Sequence, residues 1–321
     1  MSTFLTLLKR EYWENRGGFL WAPIIVISLF TVFTLIGMIA GKVHLGNLPV
    51  EMRSLPLDQM IAKLSPEQLQ KAMIGWRHAL AGFGLIVQMV LGVVLFFYLL
   101  SSLHDDRKDR SILFWKSMPV SDFSTLLSKY VSAALVAPLF AWVGVIVLQL
   151  IMLVMFSIFF LSNGVQKYTL LWTEADLIGM WIRMFVGIPL NALWALPAYG
   201  WLMMVSSWSR SRPFLWAVFA PIGVGLVLTW IDVLSNLQIP QSWYWINMFG
   251  RAILGVVPWM FGDGANAIGF NFSSDRGPYD LYSWEAMGSL LGSAHLWIGV
   301  VAGLAMLGVA FYFRRYREIA D

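Results

Sequence analysis

The chain has 321 residues, of which 59% are hydrophobic and only 12% charged, with a mean hydropathy of +0.69. A soluble domain carries roughly a quarter charged residues, so this chain has too little polar surface to coat a water-soluble globule. A net charge of +4 spread over so little polar sequence reads as topology signals and excludes a nucleic-acid patch, and the lack of cysteine excludes disulfides, thiol nucleophiles and thiolate metal sites.

Residues 3–16, TFLTLLKREYWENR, interleave Phe4, Leu7, Leu8, Tyr12 and Trp13 with charges. That spacing predicts an amphipathic helix lying in a membrane interface. The apolar run after it predicts a first span near 19–40, too long for the core of a signal peptide and read as retained. Residues 42–77 form a polar insertion in which Ser65-Pro66 marks a helix start. Further spans are predicted near 79–103, 131–161, 177–207, 214–236 and 289–313, the fourth holding Pro189 and Pro197. A long Trp-rich connection, 237–288, precedes the last span. Its apolar block Trp243 to Phe261 has Arg251 at its centre, which disfavours a seventh span and suggests a re-entrant or interfacial hairpin.

The fold class expected is therefore an all-α polytopic membrane protein, one domain with six spans. With the termini and the even-numbered connections on one side, 13 of the 22 Lys and Arg fall there, at a density about threefold that of the other side. This orients both termini toward the cytoplasm. The implied localisation is a multi-pass plasma membrane protein, such as one of a bacterial inner membrane.

The richest stretch is His104 to Tyr130, HDDRKDRSILFWKSMPVSDFSTLLSKY. A charge cluster leads into an apolar turn, Ile112 to Trp115, and a bend at Met118-Pro119, with Ser121 as a cap for the next helix. Apolar residues thrust into the cytoplasm need a partner. This stretch resembles the type-two permease family of ATP-binding-cassette (ABC) transporters, in Arg107 to Arg110, Ile112 to Ser117, Met118-Pro119-Val120-Ser121 and Lys129. The N-terminal LLKREYWENRGGFL resembles the family's entry helix, and the six-span layout agrees. The chain departs from the family in having Arg110-Ser111 where Gly-Thr is usual.

The resemblance implies a membrane-spanning permease of an exporter, coupled through a short cytoplasmic helix to a separate ATPase subunit that binds ATP and Mg. The residues it assigns to ATPase coupling are Arg107, Lys108, Arg110, Leu113, Phe114, Trp115, Met118 and Pro119, with Arg210 and Arg212 of the short loop 207–213 beside them. Two permeases, identical or related, then enclose one pathway in the lipid bilayer, with no nucleic acid among the partners. The chain itself carries no phosphate loop: Gly37 to Lys42 is one residue short and lacks the hydroxyl residue. No cofactor is expected in this chain, and it is expected not to be an enzyme by itself.

Polar residues within spans are costly and so are site candidates. Gln88, Gln149 and Asn191, with Trp194 and Trp201, are candidates for a substrate path, and the scarcity of charge favours an amphiphilic or hydrophobic cargo. Arg183 and Asp232 fall near outer span ends, within snorkelling range. The small-residue repeats Gly37/Gly41, Gly288/Gly292 and Gly299/Gly303 suggest helix packing. Two other classes compete. A secondary transporter needs intramembrane carboxylates and inverted repeats. A membrane-embedded hydrolase or acyltransferase needs a nucleophile–base constellation, for which Ser293 and His295 lack a third partner.

Overall fold

The computed structural model describes residues 3–44, 57–109, 120–235, 244–258 and 277–316. Their regular structure is entirely helical. In chain order the helices are α1 (Thr3–Glu14), α2 (Ala22–His44), α3 (Leu57–Ala62), α4 (Pro66–Ser102), α5 (His104–Lys108), α6 (Asp122–Val131), α7 (Ala137–Ser162), α8 (Leu170–Thr173), α9 (Leu177–Trp208), α10 (Pro213–Ser235), α11 (Arg251–Leu254), α12 (Trp284–Gly292) and α13 (Ala294–Tyr316). Short π-helical segments occupy Gly17–Trp21, Ser132–Val136 and Tyr244–Gly250.

Six of these helical stretches are long and apolar enough to cross a bilayer: Gly17–Ala40, Pro66–Lys108, Asp122–Ser162, Leu170–Trp208, Pro213–Leu234 and Ala294–Tyr316. The number of spans agrees with the sequence, but several boundaries move. The polar insertion expected over 42–77 does not stay apart from the second span. Ser65 caps the spanning helix itself: its hydroxyl accepts from the Gln68 amide at 3.2 Å, and the Gln68 side chain accepts from the Ser65 amide at 2.9 Å. From that box α4 runs 37 residues, about 55 Å, well beyond the hydrocarbon thickness.

The third span likewise begins early, at Asp122, and passes through the π turn Ser132–Val136. Pro138 follows at once, as Pro23 follows the π turn Gly17–Trp21. Proline has no N–H and crowds the carbonyl four residues back, and the wider turn relieves that crowding without ending the helix. The Ala22 and Ala137 amides bond five residues back, to Gly17 and Ser132. The last span starts later than expected, because Ser293 takes an extended conformation and breaks α12 from α13. The Ser293 hydroxyl then accepts from the Leu296 amide at 3.3 Å.

The tightest seam in the bundle joins α9 to α13. A Cβ at Gly303 would sit 2.6 Å from the Leu196 carbonyl oxygen, and one at Gly200 2.6 Å from the Gly303 carbonyl oxygen. Small residues here let the two backbones touch. Gly37, Gly288 and Gly292 have open space in the Cβ direction, whereas Gly299 and Gly303 are closely packed. By contrast α2 and α10 face largely outward, with Phe33, Ile39, Trp230 and Val233 exposed, as suits a lipid solvent.

The segment 244–258 tucks into this bundle. Val257 fills the space over Gly92, Ala198 lies beside Gly255, and Arg251 lies against Gly299. Gly92 is eleven residues along α4 from Leu103, or about 16 Å at 1.5 Å per residue.

Candidate functional site: a buried charge network at the base of the bundle

Call the base the end of the bundle that carries Leu103, Trp208 and Arg314. Five ionisable side chains from four elements converge there. Lys129 of α6 places Nζ 3.2 Å from Glu11 Oε1 of α1 and 3.6 Å from Asp106 Oδ2 of α5. Arg314, near the end of α13, holds two carboxylates at once: Nη1 lies 3.1 Å from Asp106 Oδ2, and Nε lies 3.3 Å from Asp122 Oδ1. The Tyr98 hydroxyl of α4 donates to Glu11 Oε2 at 2.8 Å. Glu11, Lys129 and Arg314 are almost wholly buried, at 1%, 3% and 2% exposure. Among the described residues three carboxylates face two cations, and Asp122, partly exposed, is where solvent reaches the network.

Buried charges persist only when paired and hydrogen-bonded. The network therefore fixes the mutual positions of α1, α5, α6 and α13. It also corrects the simple amphipathic reading of α1, since Glu11 points into the protein. Asp106 and Asp122 flank the segment 107–121, and a single guanidinium from the last span holds both.

A second set of bonds ties α5 to the end of α9. The Ser206 hydroxyl accepts from the Leu103 and His104 amides, each at 3.0 Å. His104 Nδ1 lies 3.2 Å from the Ser209 carbonyl oxygen. Arg107 donates through Nη2 to the Ser206 carbonyl and, at 2.9 Å, to that of Ser209. Carbonyls at a helix C-terminus lack intrahelical partners, and a cation there satisfies them.

The residues assigned to coupling thus separate. Arg107 is turned inward onto α9, while Lys108, Arg210 and Arg212 are exposed at the base, Arg212 with φ +51°. Arg110, Leu113, Phe114, Trp115, Met118 and Pro119 lie outside the described residues.

The five substrate-path residues sit inside the bundle. Gln149 is fully buried; its Nε2 donates to the Leu80 carbonyl at 2.9 Å and its Oε1 accepts from Trp181 at 2.6 Å. It locks α4, α7 and α9 together. Trp201 donates to the Ala217 carbonyl of α10 at 3.1 Å. Gln88 and Asn191 are buried, and Trp194 lies under the Arg251 guanidinium, 4.2 Å from its ring centre.

At the opposite end, Arg183 does not snorkel. It donates to Asp176 at 2.7 Å and to the Tyr279 hydroxyl at 2.6 Å, while Tyr279 in turn donates to Asp176. Arg77 joins Glu174 at 3.0 Å. These bonds strap α4, α8, α9 and the 3-10 turn Pro278–Tyr282 together. Burial, then the hydrogen bond to Asp176, pushes the Tyr279 hydroxyl above its ordinary range.

Sequence reasoning passed over Glu11, Asp106, Asp122 and Arg314 as parts of one site. Each reads as an ordinary charge flanking an apolar run. The available signal was that Asp106 and Asp122 bracket the unusual segment. The partner on α13, 192 residues from Asp122, leaves no mark in local spacing. A scan against protein-family models, a search of curated proteins and a search of solved structures each return no match.

Proposed function

We propose that this chain is the membrane-spanning permease subunit of an ATP-driven exporter of the type-two ABC kind, with its base facing the cytoplasm. The observation that supports this reading best is the double grip of Arg314 on Asp106 and Asp122. The segment between them, 107–121, is the one whose sequence resembles a coupling helix. A partner ATPase seated on that segment pushes on a piece of chain whose two ends are both anchored, through one guanidinium, to the last span. Lys129 and Glu11 carry the same displacement to α6 and α1, and Arg107 carries it to the end of α9.

A ligand shifts a conformational equilibrium only by its differential affinity for the two states. In this reading ATP binding enters as a change in how the partner grips 107–121, and the buried ion pairs make the response concerted. Loosening one pair would leave an uncompensated buried charge, so the four elements move as a unit. α1 is the interfacial entry helix, and 244–258 is a re-entrant segment, which its contact with Gly92 and Ala198 supports. The cargo is amphiphilic or hydrophobic, and a second copy or a paralogue completes the pathway.

Affinity purification from the native membrane in mild detergent tests the reading. A stoichiometric soluble partner with a phosphate loop is the expected outcome, and a chain that purifies alone without ATPase activity refutes it. Trp115→Asp with Met118→Asp should abolish ATPase stimulation and leave membrane insertion intact. Unchanged stimulation places the docking segment elsewhere.

A further inference from the structure

Arg251 is unlike the other cations of the bundle. Lys129 and Arg314 at the base and Arg183 at the opposite end face carboxylates, and Arg107 caps the end of α9. Among the described residues Arg251 has no ion pair: its guanidinium carbon lies 4.2 Å from the centre of the Trp194 ring, and Nη1 donates to the His295 carbonyl. Nε and Nη2 are sealed from solvent and have no acceptor. The place is nevertheless shaped for the group, because a Cβ at Gly299 would collide with the guanidinium. Gly299 lies in the second turn of α13, five residues from its start at Ala294 and about 7.5 Å along the helix, at the end of the span opposite Arg314.

An ionised side chain with buried donors left open is costly, and the tryptophan face offsets only part of that cost. A group kept there has a partner at some stage of its working cycle. We propose that Arg251 is the recognition site for the anionic head group, a carboxylate or phosphate, of an amphiphile whose alkyl part lies along the apolar walls. This deepens the export reading above and rests on it for the identity of the amphiphile as cargo. The chemistry follows from the guanidinium, whose fork matches two oxygens of a carboxylate or phosphate where an ammonium cannot. Arg251 is only partly covered, so an anion meets its open edge first. Rotation about the side-chain torsions then frees Nε and Nη2 from the Gly299 wall to complete the pair. Either a resident anionic lipid or a transported amphiphile presents this head group.

The test is direct binding, which needs no ATPase. The full-length chain in neutral maltoside micelles is titrated with dodecyl phosphate and with zwitterionic dodecylphosphocholine. Saturable binding of dodecyl phosphate is expected, weakened about tenfold or more by Arg251→Gln and less by Arg251→Lys. Binding of the phosphocholine should not depend on Arg251. Equal affinity of the wild type and Arg251→Gln for dodecyl phosphate overturns the proposal. Should Arg251→Gln fail to fold, Gly299→Ala, which displaces the guanidinium, reads the same site, and an unchanged affinity there also overturns it. Repeating the titration in phosphatidylcholine nanodiscs with and without phosphatidylglycerol assigns the source. Loss of binding when phosphatidylglycerol is present supports a lipid site, and retained binding supports a cargo site. Because binding is read without a partner, the site can fail while the exporter stands, or stand while the exporter fails.

Discussion

Arg314→Ala is the most informative single change at the base. It deletes contacts at 3.1 Å to Asp106 and 3.3 Å to Asp122. Asp106 then loses its closest described cation and keeps Lys129, at 3.6 Å, which is itself shared with Glu11 at 3.2 Å. Removing one partner of a buried ion pair costs roughly 3–5 kcal/mol. Asp122 is partly exposed and can rehydrate, and Asp106 keeps Lys129, so the low end of that range applies, about 3 kcal/mol. For a chain of 321 residues that corresponds to a fall of roughly 4–5 °C in melting temperature, readable by fluorescence-detected size exclusion after heating. The reasoning makes a second demand. Replacing the whole set with apolar residues, Arg314→Met with Asp106→Leu and Asp122→Ala, should recover most of the lost stability, because the penalty comes from orphaned charge and not from missing attraction. The same triple variant should lose ATP-driven coupling. A melting temperature unchanged in Arg314→Ala, or no recovery in the triple variant, would refute the account of a charge network that holds these helices.

Two further predictions concern the seam and the opposite end. Gly303→Val should destabilise the bundle by about 1–3 kcal/mol, because its side chain meets the Leu196 backbone, whereas Gly288→Ala, into open space, should be close to neutral; thermal melts compare them. Tyr279, whose hydroxyl is held above its ordinary value of 10.0 by burial and by Asp176, favours its protonated form in the folded protein. Its contribution is complete below pH 10 and is lost as pH rises through the raised folded value. Hydrogen exchange near 278–282 should therefore quicken at alkaline pH in the wild type, and Tyr279→Phe should show fast exchange already at neutral pH.

The number of spans was legible because the bilayer sets a length, and any helix that crosses it must show roughly twenty apolar residues in a row. Ser65 as a helix start and the proline-bearing fourth span were equally local facts. Where the reading failed locally, the cause was competition. The polar stretch after Ser65 stays helical because its capping box and the continuing backbone bonds outweigh its polarity. At Ser293 one extended residue cuts a run that hydropathy alone would join.

What the sequence by itself determined is the solvent this protein folds in, the helices that solvent forces on it, and a segment whose apolar residues need a partner. What only the tertiary structure decided is which charges meet. Glu11, Asp106, Asp122, Lys129 and Arg314 each resemble a solvated flank when read along the chain, and Arg251 resembles a misplaced one. Ion pairing depends on distances of a few ångströms between residues as far apart as 208 positions, and helix periodicity carries no information about which helices will be neighbours.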